Sequence, residues 1–145
     1  KDGSWWYMGS PIGRFQLVKL FARVLVLEGG DFFLKTPVEK IRIQVEDAPF
    51  VIVDWQQQDS ALSDEIEVTS NLGRKYMIGA QHPIISDFTD PQSPSLYVKL
   101  HRDLLARVHR NVYYQWIEIG QERVVNEERH LALSSDEQTF SLGKF

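Results

Sequence analysis

No cysteine occurs among the 145 residues, so disulfide staples, thiolate nucleophiles and cysteine metal ligands are excluded. That absence mildly favours a cytoplasmic setting. No apolar run approaches the ~20 residues that span a bilayer. No signal peptide is visible, although with Lys1 where an initiating Met would stand that silence carries little weight. An excess of basic charge is missing too. The formal net charge is −4, which argues against a general binder of nucleic-acid polymers and leaves room only for a local basic pocket.

Catalytic and cofactor motifs are equally scarce. His82, His101, His109 and His130 are scattered, with no His-Glu-x-x-His spacing, so no metal or other cofactor is expected. Ser10 lies in no nucleophile-elbow pattern, and no Walker or Rossmann glycine spacing is present. No residue is singled out as catalytic; general acid–base sites have no fixed signature, so catalysis simply lacks positive support.

What is present belongs to a globular protein: 43% hydrophobic and 25% charged residues, in a chain of single-domain length. Residues 5–7 (Trp-Trp-Tyr) suit a strand, since aromatics fit a pleated surface. Ser10-Pro11 reads as a helix start, a hydroxyl cap before a ring with helical φ. Phe15, Val18, Phe21 and Leu25 then recur at helical spacing for about three turns. Glu28-Gly29-Gly30-Asp31 turns 24–27 back on 32–34 as a hairpin. Strands follow at 41–45 and 50–55, joined by a turn at Asp47-Ala48-Pro49, and the polar stretch 56–64 reads as a loop. Residues 66–69 and 76–78 flank the turn Ser70-Asn71-Leu72-Gly73, and 86–95, with two prolines, is a long loop.

The last third opens with a strand at 96–100. Leu105, Val108, Val112, Trp116 and Ile119 form one apolar stripe, predicting a helix over about 102–119 with an Asp103–Arg107 pair on its exposed face. A hairpin over 130–145 closes the chain. Both ends therefore read strand, helix, strand, polar turn, strand. The expectation is an α+β fold of two repeated β-α-β-hairpin motifs around antiparallel sheet, with an N-terminal subdomain over 1–58 and a C-terminal one over 59–145.

Three charged segments invite a functional reading beside a structural one. "GSPIGR" is explained as a helix start, but open first-turn N–H groups attract anions, with Gly13 allowing close approach and Arg14 adding charge. Thr36-Pro37-Val38-Glu39-Lys40 is explained as a hairpin end with a solvated Glu-Lys pair; alternatively Lys40 meets a phosphate or carboxylate and Glu39 a hydroxyl. Glu46-Asp47 is as ambiguous, and a strand over 41–45 spans about 16 Å, so Asp47 and Lys40 do not meet one compact ligand unless the strand bends. Of Tyr113 and Tyr114, adjacent on a helix, one is expected to pack while the other faces outward.

"WWYMGSPIGR", "LVKLF" with "VL" close behind, "LKTPVEKIRIQVEDAPF" and the late "VYY" together resemble the bacterial family catalogued as domain of unknown function 1285. Phe15 departs from the proline expected in many relatives. The resemblance implies an α+β fold with two repeated motifs, the C-terminal half superficially like a pleckstrin-homology domain, and no established activity. It further implies a signalling role and a ligand site near the interface of the halves, for a small anionic or nucleotide-like molecule. Carried over as binding candidates are Tyr7, Ser10, Arg14, Thr36, Pro37, Glu39, Lys40, Asp47 and Phe50. The expectation is a non-catalytic ligand-sensing module in which Arg14 and Lys40 meet negative charge. The alternatives are a protein-interaction module using a sheet edge or the last helix and, with less support, an enzyme acting on a nucleotide or phosphoester.

Overall fold

The computed structural model describes residues 3–7, 10–59, 64–90, 94–125, 127–135 and 138–144. The chain opens with a small ribbon, β1 (Trp6–Tyr7) against β2 (Ser10–Pro11). Ser10-Pro11 is thus strand and not the start of a helix. Pro11 sits opposite Trp6, and a ring without an N–H is tolerated on so short an edge. The Ile12 N–H donates to the Trp5 carbonyl at 2.7 Å and extends the ribbon. Helix α1 (Phe15–Arg23) starts only after Gly13, capped by the Arg14 backbone with no side-chain hydrogen bond. Leu25, expected on its stripe, belongs to β3 (Leu25–Glu28), because the helix ends at Val24. β3 pairs with β4 (Asp31–Lys35) through the Gly29-Gly30 turn, where both glycines have positive φ, and β4 pairs with β5 (Lys40–Ile43).

The main sheet has six strands: β6 (Phe50–Asp59), β7 (Asp64–Ser70), β8 (Lys75–Met77), β9 (Ile84–Asp87), β10 (Ser95–Lys99) and β11 (Leu105–Val108). Their spatial order is β8-β7-β6-β11-β10-β9. All neighbours are antiparallel except β6 and β11, which run parallel with Ala106 opposite Phe50. The polar stretch after Trp55 continues as ladder, Gln56 facing Glu67 and Asp59 facing Asp64, instead of looping out. Gln56 and Gln57, on opposite faces of β6, are both exposed, so this part of the strand carries no apolar alternation and does not read as strand. Residues 60–63 of that stretch lie outside the described residues, as do 91–93 of the expected loop over 86–95, whose two ends belong to β9 and β10.

The expected helix over 102–119 is three elements. Residues His101–Asp103 make one 3-10 turn, β11 follows, and helix α2 (Arg110–Ile119) begins after His109, whose Nδ1 accepts the Asn111 N–H at 3.1 Å. Leu104, Ala106 and Val108 are the buried set, a period of two. The Asp103–Arg107 pair is consequently not formed: Asp103 meets Lys99 at 3.1 Å and Arg107 meets Asp47 at 2.6 Å. Strands β12 (Gln121–Val125), β13 (Glu128–Ser135) and β14 (Gln138–Lys144) complete the fold; β13 and β14 are the hairpin expected there, with residues 136–137 outside the described residues.

α2 lies on β6, β13 on β7 and β14 on β9, enclosing a core of Ile52, Ile66, Val68, Val98, Leu104, Trp116 and Leu142. Tyr113 is the packed tyrosine, its hydroxyl donating to the Leu142 carbonyl at 3.1 Å, while Tyr114 is exposed. Among the described residues no helix is long and apolar enough to cross a membrane.

Candidate functional site

A cleft of about 530 Å³ opens where α1 approaches the six-stranded sheet. Lys19, Ala22 and Arg23 form one wall. Phe50, Ser70, the Leu72-Gly73-Arg74 turn, Tyr76, His101 and Arg102 form the other. The turn is set by sequence: the Ser70 hydroxyl accepts the Leu72 N–H at 3.3 Å, and Gly73 takes a φ of 80° with open space about it. Arg74 leaves this turn over the Tyr76 ring, 5.5 Å from its centroid.

Arg102 ties the two walls together. One guanidinium nitrogen donates to the Arg23 carbonyl at 3.2 Å, satisfying a free carbonyl at the end of α1. Another lies 3.2 Å from His101 Nε2, and His101 Nδ1 is 3.3 Å from the Tyr76 hydroxyl. Arg102 and Asp103 hold φ values of 55° and 59°, two consecutive left-handed residues that are not glycine. Burial, then the charges of Arg74, Arg102 and His82, pushes the His101 imidazole below its ordinary value, and burial raises the Tyr76 hydroxyl. Among the described residues no Asp or Glu lines the cleft, so Lys19, Arg23, Arg74 and Arg102 give it four positive charges over an apolar floor.

A second hollow, about 670 Å³, runs along β4 and β5 from Gly30 to Glu46. It is shallow, and two of its charges, Asp31 and Arg42, neutralise each other at 3.1 Å. Among the described residues no three His, Asp or Glu side chains converge as a metal site would require.

The residues singled out from sequence do not converge on one site. Tyr7 is exposed and pairs with Ser10, whose side chain lies outside the described residues. Arg14 is exposed at the start of α1. Thr36, Pro37, Glu39 and Lys40 make the β4–β5 turn: the Thr36 N–H donates to the Glu39 carbonyl at 2.8 Å, and Thr36 Oγ1 accepts the Glu39 N–H at 3.0 Å. Lys40 Nζ sits 2.5 Å from Glu28 Oε2 and 4.5 Å above the centre of the Phe33 ring. Asp47, read either as a turn residue or as a binding candidate, is half-buried and held by Arg107 and Tyr97. Phe50 is buried and, of the nine, is the one that lines the cleft.

Sequence reading missed Lys19, Arg23, Arg74, Tyr76, His101 and Arg102. One signal was available. Lys19 and Arg23 stand four apart on a helix that carries no acidic residue, a mildly repulsive arrangement that favours an external anion.

Two family models match the chain: "Domain of unknown function (DUF1285), N-terminal domain" over residues 1–48 and "Protein of unknown function (DUF1285), C-terminal domain" over 49–142. The chain belongs to the DUF1285 family. The cleft is therefore built from both DUF1285 segments, α1 from the first and the remaining wall from the second. Among solved structures, the chain is similar to a DUF1285 family protein from Silicibacter pomeroyi DSS-3, at 32% identity and a TM-score of 0.87, covering 99% of this chain and 77% of that one. It is also similar to one from Shewanella baltica OS155, at 34% identity and a TM-score of 0.63, covering 80% of this chain and 85% of that one. No curated protein matches the chain.

Proposed function

We propose that this DUF1285 protein is a non-catalytic, cytoplasmic module of bacterial signalling that binds a small polyanion, nucleotide-like in having an apolar body, in the cleft between its halves. The observation that carries the reading is four cationic side chains around one cleft with no described carboxylate among its lining residues. Like charges gathered around one cleft repel one another, and an anion relieves that repulsion. The cleft volume falls in the ordinary range for small-molecule sites, roughly 300–1,000 Å³. Tyr76, Phe50 and Leu72 offer an apolar surface for the body of the ligand. The cytoplasmic setting and the signalling role rest on cysteine absence and on the family resemblance. The two helix-plus-three-strand units, α1 with β3–β5 and α2 with β12–β14, support reading the fold as a repeat, whereas the pleckstrin-homology likeness rests on the resemblance alone.

Thermal unfolding with sodium pyrophosphate, against sodium chloride of equal ionic strength, tests the reading. Pyrophosphate at a hundredfold excess over its Kd should raise the midpoint by roughly 5–10 °C. Arg74→Ala and Arg102→Ala should lose that shift, whereas Arg14→Ala and Lys40→Ala should keep it. The reverse pattern would move the site to the β4–β5 turn, and no shift in the parent protein would remove the ligand reading. A second reading, a protein-interaction module, is favoured by the exposed Trp6, Tyr7, Phe15, Leu20, Val38 and Ile41, all within the first 48 residues. It predicts a partner protein whose binding Phe15→Ser weakens and pyrophosphate leaves unchanged.

A further inference from the structure

We infer that the cleft takes up its anion together with a proton, and that His101 is the group that receives it. The inference rests on the anion-binding reading and adds a regulation of that site.

The geometry fixes which ring nitrogen is free. A guanidinium can only donate, so Arg102, 3.2 Å from His101 Nε2, requires a lone pair there. The single ring proton of the neutral imidazole then sits on Nδ1, where it donates to the Tyr76 oxygen at 3.3 Å. A second proton would have to enter at Nε2, placing N–H against N–H beside a fixed charge. The other groups around the ring do not relieve this. Arg74 lies over Tyr76 from the β7–β8 turn, and Arg23 and Lys19 face the cleft from α1. His82 packs edge-on against Tyr76, 5.1 Å between centroids, with Nδ1 3.0 Å from the Lys99 carbonyl. The nearby carboxylates are already engaged: Asp103 with Lys99, and Glu28, on the β3 strand that packs here, with Lys35 and Lys40.

An anion in the cleft acts against the opposing charges and against the blocked nitrogen. It neutralises Arg74 and Arg102, and by drawing the Arg102 guanidinium toward itself it frees Nε2. The imidazolium that forms adds a further positive charge beside the anion. His101 is thus held neutral in the empty cleft and charged in the filled one. With the bound-state value above the free-state value, affinity rises as pH falls through the bound-state value and levels off below the free-state value.

Sulfate is a suitable probe, because it stays dianionic across the whole range and releases or takes up no proton itself. The His101 imidazole is titrated by NMR in saturating sodium sulfate and in sodium chloride of equal ionic strength, which controls for screening. Sulfate should raise the His101 midpoint by about one pH unit, equivalent to about a tenfold gain in sulfate affinity between the alkaline and acid plateaus. Arg102→Ala should raise the midpoint in chloride alone, and His101→Gln should flatten the pH dependence of sulfate affinity. If sulfate shifts the Arg74 and Arg102 resonances but leaves the His101 midpoint in place, the proton coupling is wrong and the anion site stands. If no cleft resonance moves, both are wrong.

Discussion

Asp47 accepts from Arg107 Nη1 at 2.6 Å and from the Tyr97 hydroxyl at 2.7 Å, partners sixty and fifty residues along the chain. Its sequence neighbourhood, Glu46-Asp47-Ala48-Pro49, announces a turn, and a turn is there; the partners come from β10 and β11, which local sequence does not display. Burial alone would push this carboxyl up, but the hydrogen bonds from Arg107 and Tyr97 outweigh it and hold the group below the usual 3.8. The folded value is thus lower than the unfolded one, so the pair stabilises the fold fully above the unfolded value and loses its effect as pH falls through the folded one. Asp47→Asn should cost about 1–2 kcal/mol near neutrality, since Arg107 keeps partial access to water. Urea unfolding at pH 7 and pH 3 checks this: the deficit should shrink in acid, and an equal deficit at both pH values would show that the ion pair contributes nothing.

Elements were legible where burial follows one local period, and misread where two periods fit the same residues. Leu105, Val108 and Val112 match helical spacing, yet Leu104, Ala106 and Val108 match a strand equally well. What decides between them is β6, whose Phe50–Ile52 segment offers β11 a parallel partner more than fifty residues upstream. The left-handed Arg102 and Asp103 then turn the chain into that strand. From Arg110 onward the helix is as expected, with Val112 and Trp116 buried and Tyr114 outward, but Ile119, expected on the apolar stripe, is exposed at its end. The α2 register makes a sharp contrast. Trp116→Ala should destabilise by about 3–5 kcal/mol, whereas Tyr114→Ala should stay within about 0.5 kcal/mol. Chemical denaturation midpoints compare the two, and similar losses would mean that the helix is rotated about its axis.

At the scale of the whole molecule, the cleft is a product of topology. Lys19 and Arg23 come from α1, Arg74 from the β7–β8 turn and Arg102 from the turn before β11; each alone reads as a solvated surface charge. Sequence alone offered Arg14 and Lys40 because Gly13 and the Thr-Pro-x-Glu-Lys block carry local signals, while the cleft residues meet only when the sheet is assembled. The same geometry has a mechanical consequence. α1 supplies one wall and the sheet the other, bridged by the Arg102 hydrogen bond to the Arg23 carbonyl. A polyanion held by both walls must be released before α1 can leave the sheet, so it should suppress that opening and not merely cover the turn. Amide hydrogen exchange reads this directly. At a pyrophosphate concentration a hundred times its Kd, the α1 amides that exchange by undocking should slow about a hundredfold. Protection confined to the β7–β8 turn, with α1 exchanging as before, would place the anion on the sheet wall alone and remove any role for it in joining the halves. A slowing shared by α1 and the turn, and abolished by Lys19→Ala with Arg23→Ala, would make the ligand a clasp between the two DUF1285 segments, which is the kind of coupling a sensing module needs.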